Sequence, residues 1–133
     1  MRLNSLLAAF GVVAVGFCAG LLFLPAFWIE LYGASVDAQA TLLIRLIGAL
    51  FGGLAVMAWG SRNDAASKSR DALVIGLAVL NGLAAIVAIM GAVSGVYNAF
   101  AWGPVATFLL FAFGFLVVRR SGGSGTAPGH SRP

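Results

Sequence analysis

Four long apolar runs alternate with short polar segments along the chain. The first spans Asn4 to Leu24, the second Gln39 to Trp59, the third Ala72 to about Val93, and the fourth about Phe100 to Val118. Each is close to the roughly 20 residues that a helix, rising about 1.5 Å per residue, needs to cross about 30 Å of hydrocarbon. The pattern predicts an all-α fold: a four-helix transmembrane bundle over residues 1–120. The short linkers make neighbouring helices antiparallel.

The breaks are as informative as the runs. Proline ends or bends a helix but suits the first turn of a new one, so the first span should stop near Pro25. Ala26-Phe-Trp-Ile-Glu-Leu-Tyr32 is rich in interfacial residues and predicts a short helix lying along the membrane surface, stopped by Gly33. Asp37 or Ser35 is positioned to cap the second span. The first run is read as a retained span rather than a cleaved signal. Its apolar character continues through Leu21-Leu-Phe-Leu24, and Phe17 stands where a lipoprotein box requires a small residue. Residues 121–133 are rich in Gly, Ser and Pro with nothing apolar to bury, which predicts a disordered cytoplasmic tail and an inert His130.

Composition makes the medium explicit. Hydrophobic residues are 61% of the chain and charged residues 9%, against about 25% charged in a soluble domain. So few charges cannot build a water-facing surface, and the bilayer is the first partner the chain must have. With one cysteine and one histidine, a single chain holds no internal disulfide, protein-only zinc site or bis-histidine haem site. No cofactor or metal is expected, and Cys18 reads as a small buried apolar residue.

Basic residues outnumber acidic ones, but they are scattered at helix ends rather than gathered in a stripe, which argues against nucleic acid. Their placement fits topology better. Arg2, Arg62, Lys68, Arg70, Arg119, Arg120 and Arg132 fall on one side of the spans, while Glu30 and Asp37 fall on the other. The positive-inside rule then puts both termini in the cytoplasm of a cell with an inner membrane.

Arg45 is the exception, a charge about two turns inside the second span. Three roles fit it: an ion pair with Glu30, snorkelling toward the outer headgroups, or contact with a ligand. The ion pair is favoured, because Gly48, Ala49, Gly52 and Val56 on its side of the helix suggest a packed face. Three Gly-x-x-x-Gly patterns, Gly16/Gly20, Gly48/Gly52 and Gly91/Gly95, mark places where helix backbones can approach, within the bundle or in an oligomer. Asn81, midway along the third span, needs an interhelical hydrogen bond to a Ser, a Thr or a backbone carbonyl, or else lines a small polar cavity. Phe27, Trp28, Tyr32, Tyr97, Phe100 and Trp102 crowd the outer side against Trp59 alone on the inner one. An interfacial aromatic belt is the favoured reading of this set; the alternative is that, with Arg45, Glu30 and Asn98, it outlines a shallow amphipathic pocket at the outer leaflet.

The order Leu24-Pro25, Leu31-Tyr-Gly33, Asp37, Arg45-Leu-Ile-Gly48-Ala, Trp59 and Phe113-Gly-Phe115 resembles a widespread group of small uncharacterised bacterial four-helix membrane proteins, a domain of unknown function. The resemblance covers most of residues 20–118 and implies the fold, with no activity attached. Two other families of this size do not fit. Small multidrug-resistance transporters use a glutamate deep in the first helix, where this chain has no charge before Glu30. Fluoride channels carry an early glycine-rich stretch ending in arginine and a Phe-Ser-Thr-Phe type of third helix, and the third span here has neither. A proton-coupled pump would want an ionisable relay in mid-membrane.

The expectation is therefore a non-enzymatic membrane protein, an accessory or scaffold subunit that packs against a membrane-protein partner or a second copy. The alternative is a binder or carrier of a lipid or other small lipophilic molecule at the outer pocket. An enzyme is disfavoured because the residues for acid–base or nucleophilic work are lacking.

Overall fold

The computed structural model describes residues 2–122. Its elements are α1 (Leu3–Phe23), α2 (Pro25–Leu31), α3 (Ala38–Ser61), α4 (Lys68–Val93), a 3-10 turn (Ala99–Ala101) and α5 (Trp102–Gly122). Four of these, α1, α3, α4 and α5 with its preceding turn, are long and apolar enough to cross a membrane. The architecture is that of a multi-pass helical membrane protein.

The helix boundaries follow local chemistry. Leu24 leaves the helical region (φ −128°, ψ 48°) and Pro25 opens α2 at its first position, so the chain turns where proline allows it. Gly33 then takes φ +78°, a left-handed conformation that ends the segment. Asp37 caps α3, its carboxylate accepting from the Ala40 amide at 2.8 Å. Ser67 caps α4 in the same way, accepting from the Arg70 amide at 3.1 Å. Both α4 and α5 extend beyond their apolar runs at one end, with Lys68, Arg70 and Asp71 in the first turn of α4 and Arg119 and Arg120 in the last turn of α5. The helix therefore continues past residue 120 to Gly122, and the rest of the predicted tail, with His130, lies outside the described residues.

The bundle is built from two antiparallel pairs, α1 against α3 and α4 against α5, joined where α1 meets α5. Register along the first pair is set by small residues. A Cβ on Gly11 would lie 3.3 Å from the Trp59 ring, one on Gly52 would lie 3.0 Å from Cys18 Sγ, and one on Gly48 would lie 2.9 Å from the Leu22 amide nitrogen. The core gathers at the end that carries residues 2 and 122. Leu6, Leu7, Phe10 and Ala14 meet Ala55 and Ala58 on one side and Val74, Leu77, Phe111 and Phe115 on the other. Phe10 meets Phe111 edge to face at 5.2 Å, and Leu6 fills the space beside Gly114. Above this core, Phe17 of α1 stacks on Phe51 of α3 at 5.1 Å and on Phe108 of α5 at 6.0 Å.

Candidate functional site

Alternating helix directions sort the polar residues onto two ends. One is basic, with Arg2, Arg62, Lys68, Arg70, Arg119 and Arg120. The other is aromatic and includes α2 and the segment between α4 and α5.

At the aromatic end, Asn98 clamps two loops together. Its amide nitrogen donates to the Leu31 carbonyl at 2.9 Å, its backbone N–H donates to the Tyr32 carbonyl at 2.9 Å, and its side-chain oxygen accepts from the Phe100 amide. Tyr32 and Tyr97 then meet edge to face at 6.1 Å. Together with Ile29, Ala88, Ala101 and Pro104 they line a cavity of about 170 Å³. Burial raises the Tyr32 phenol above its ordinary pKa, so it stays neutral in this setting. Trp28 lies over Gly20, its indole occupying the space a Cβ would take, and stacks on Phe17 at 6.2 Å. The predicted rim therefore divides. Trp28 and Tyr32 are half-buried and Tyr97, though exposed, packs against Tyr32, whereas Phe27, Phe100 and Trp102 are more than half exposed.

The favoured pairing of Arg45 with Glu30 is not formed. Both side chains are exposed, and the ion pair among the described residues is Arg119 with Asp71. The reason lies in α2. Trp28 and Tyr32, four residues apart, share the face that packs on the bundle, which turns Glu30 to the opposite face. Arg45 likewise stays outside the aromatic cavity, and its guanidinium has no hydrogen-bond or ion-pair partner among the described residues.

The glycine pairs also separate. Gly48 and Gly52 face α1, where a Cβ would meet Leu21 and Leu22 at the first and Cys18 at the second. Gly20 admits Trp28 rather than another span, while Gly16 faces open space. A Cβ on Gly91 would lie 3.0 Å from the Tyr97 ring, and Gly95, beyond the end of α4 at φ +75°, serves a turn. Asn81 is fully buried; its amide nitrogen donates to the Leu77 carbonyl one turn earlier at 2.8 Å. That bond stays within α4 instead of crossing to another helix, and the Asn81 side-chain oxygen has no partner.

The basic end holds features that apolar patterning does not reveal. Arg70 donates to the Ser61 carbonyl at 3.1 Å, to the Arg62 carbonyl at 3.0 Å and to Asn4 Oδ1 at 2.7 Å. Arg119 grips Asp71 with two nitrogens, at 2.8 and 3.2 Å. Arg62 folds over Trp59, its guanidinium carbon 4.2 Å from the ring centre. Beside Trp59, a groove of about 540 Å³ runs between α1 and α3, floored by Gly11, Gly52, Ala55 and Gly60 and walled by valines. Its lining is almost wholly apolar.

These features define a polytopic four-helix membrane protein with an apolar groove on one flank and a basic cleft at one end. No protein-family model, curated protein or solved structure matches the chain.

Proposed function

We propose that this chain is a non-enzymatic accessory or scaffold subunit of a membrane complex, docking a partner span against α3. One observation carries the reading. Of the 24 residues of α3, only Gly48, Ala55 and Ala58 are buried, so it is the least covered of the four long helices. Lipid alone could cover an apolar face, but α3 also displays Arg45 without a partner. A charge at membrane depth is costly and normally faces protein, water or a counter-charge. The groove of small residues beside α3 offers the close backbone approach that spans use to associate.

The chain belongs, in this reading, with the small bacterial four-helix membrane proteins that its motif order resembles. Its basic end is cytoplasmic, which places both termini inside the cell and α2 at the outer surface of the inner membrane. The alternative, a carrier of a small lipophilic molecule, has a specific cavity in its favour, the one between Tyr32 and Tyr97. At about 170 Å³ that cavity falls below the roughly 300–1,000 Å³ of small-molecule sites, so docking is the better-supported role.

The test is native mass spectrometry after direct extraction into nanodiscs, run beside Gly60→Leu. Gly60 has open space around its α-carbon, so leucine there fills the groove without disturbing the α1–α3 contact. A complex of fixed stoichiometry in the wild type, dispersed by Gly60→Leu, is the expected result. A wild-type monomer, or a complex indifferent to the leucine, would overturn the proposal.

A further inference from the structure

At the basic end a cleft of about 800 Å³ opens between the start of α1, the start of α4 and the end of α5. Four arginines line it, Arg2, Arg70, Arg119 and Arg120, against one carboxylate, Asp71. That carboxylate is already engaged by Arg119, and Arg70 is committed to two carbonyls and Asn4. The guanidinium groups of Arg2 and Arg120 make no hydrogen bond or ion pair with the described residues. α1 begins at the same place with no side-chain cap and no acidic residue in its first turn, so its free N–H groups and positive dipole end add to the field. The floor is different in kind. Leu3, Val74 and Val118 close it with apolar surface, and Val74 belongs to the buried core.

We infer that this cleft is a site for an anionic phospholipid, its phosphate held by Arg2 and Arg120 and its glycerol and upper acyl carbons resting on Leu3, Val74 and Val118. Charge complementarity selects the headgroup, because a zwitterionic lipid brings its own cation into a field of guanidinium groups. The apolar floor separates a lipid from a free anion, which would leave that surface wet. Depth agrees as well: the cleft sits where helices crossing a bilayer emerge among the headgroups, and in the orientation proposed above it lies on the cytoplasmic side, where basic pockets between spans take acidic lipids. The inference is independent of the docking role of α3, since the groove and the cleft lie on different parts of the bundle.

The experiment uses the purified full chain in detergent, titrated with phosphatidylglycerol or phosphatidylcholine and read by native mass spectrometry as lipid bound per monomer. Phosphatidylglycerol should bind at least about tenfold more tightly, with about fivefold lost for each of Arg2→Gln and Arg120→Gln. Neither side chain is bonded within the described fold, so both variants should fold, and Arg62, Lys68, Arg70 and Arg119 still mark their end of the bundle. Arg62→Gln removes the same charge from the same end but outside the cleft, and should leave the preference intact. Equal retention of the two lipids, or an equal loss in Arg62→Gln, would reduce the effect to general charge attraction and overturn the site. Competition by millimolar inorganic phosphate would overturn the lipid assignment in favour of a free-anion site.

Discussion

Arg70 reaches Asn4 across the whole bundle end, its Nη2 donating to Asn4 Oδ1 at 2.7 Å while the same guanidinium closes the end of α3 through the Ser61 and Arg62 carbonyls. One side chain on α4 thus joins the starts of α1 and α4 to the end of α3. The last carbonyls of a helix lack intrahelical partners, and a cation is a favourable group to meet them. Arg70→Gln should destabilise the fold by about 1–2 kcal/mol, below the upper range for charged hydrogen bonds because the site is partly hydrated. Asn4→Ala removes only one of the three bonds and should cost less. Denaturant titration in mixed micelles measures both. A double variant with purely additive effects would show that the Arg70–Asn4 bond contributes nothing.

Asn81 makes the opposite prediction. Its side-chain oxygen is buried without a partner, and its one hydrogen bond stays within its own helix. A half-satisfied buried amide is worse than an apolar group of similar size. Asn81→Leu should therefore leave thermal stability unchanged or raise it, by up to about 1–3 kcal/mol. A clear loss of stability would mean that the free oxygen meets a donor in the native membrane, such as a bound water.

Gly20 and Gly16 share a motif but not an environment, and alanine separates them. At Gly20 a Cβ would displace the Trp28 indole from its stack on Phe17, an overpacking cost of about 1–3 kcal/mol. At Gly16 the methyl meets open space and improves helix propensity. Gly20→Ala should shift the tryptophan emission and lower the melting temperature, and Gly16→Ala should do neither. Matching effects would show that the motif acts as a unit after all.

Much of this fold is legible in the sequence, for a reason that also limits the reading. Hydrocarbon demands about 20 apolar residues per crossing, so the spans, Pro25, Gly33 and the Asp37 cap can all be read from the chain. The same apolar character faces both lipid and protein, so hydrophobicity cannot tell which side of a span is packed. That is why the sequence leaves the direction of Arg45 open, and why it gives no sign of the close contacts at Gly11 and Gly114. Asn4 and Arg70 are 66 residues apart, yet both sit at helix starts on the same end. Topology offered the signal that would have suggested their meeting.

The orientation is open to direct labelling. Ala65 and Val96 are exposed in loops at opposite ends of the bundle, and a cysteine at either leaves the backbone bonds in place. With Cys18 first replaced by Ala, Ala65→Cys should react with a membrane-impermeant maleimide only after the cell is opened, and Val96→Cys in intact cells. The reverse pattern would move the basic cleft to the outer face.

Arg45 provides the sharpest separation between fold and function. It makes no hydrogen bond or ion pair within the described residues, so the isolated chain has little to lose when the charge is removed. A charge at the bilayer centre costs about 2.5–3.5 kcal/mol on insertion scales, and less nearer the surface. Arg45→Leu should accordingly leave the melting temperature of the purified monomer unchanged or raise it. Assembly should respond the other way. If a partner span supplies the counter-charge, the same variant loses the complex that native mass spectrometry detects in the wild type, whereas Arg45→Lys keeps part of it. A monomer destabilised by the leucine would make Arg45 a structural residue. A monomer and a complex both indifferent to it would leave the side chain reaching only for headgroups, and α3 would then need another explanation for its exposure.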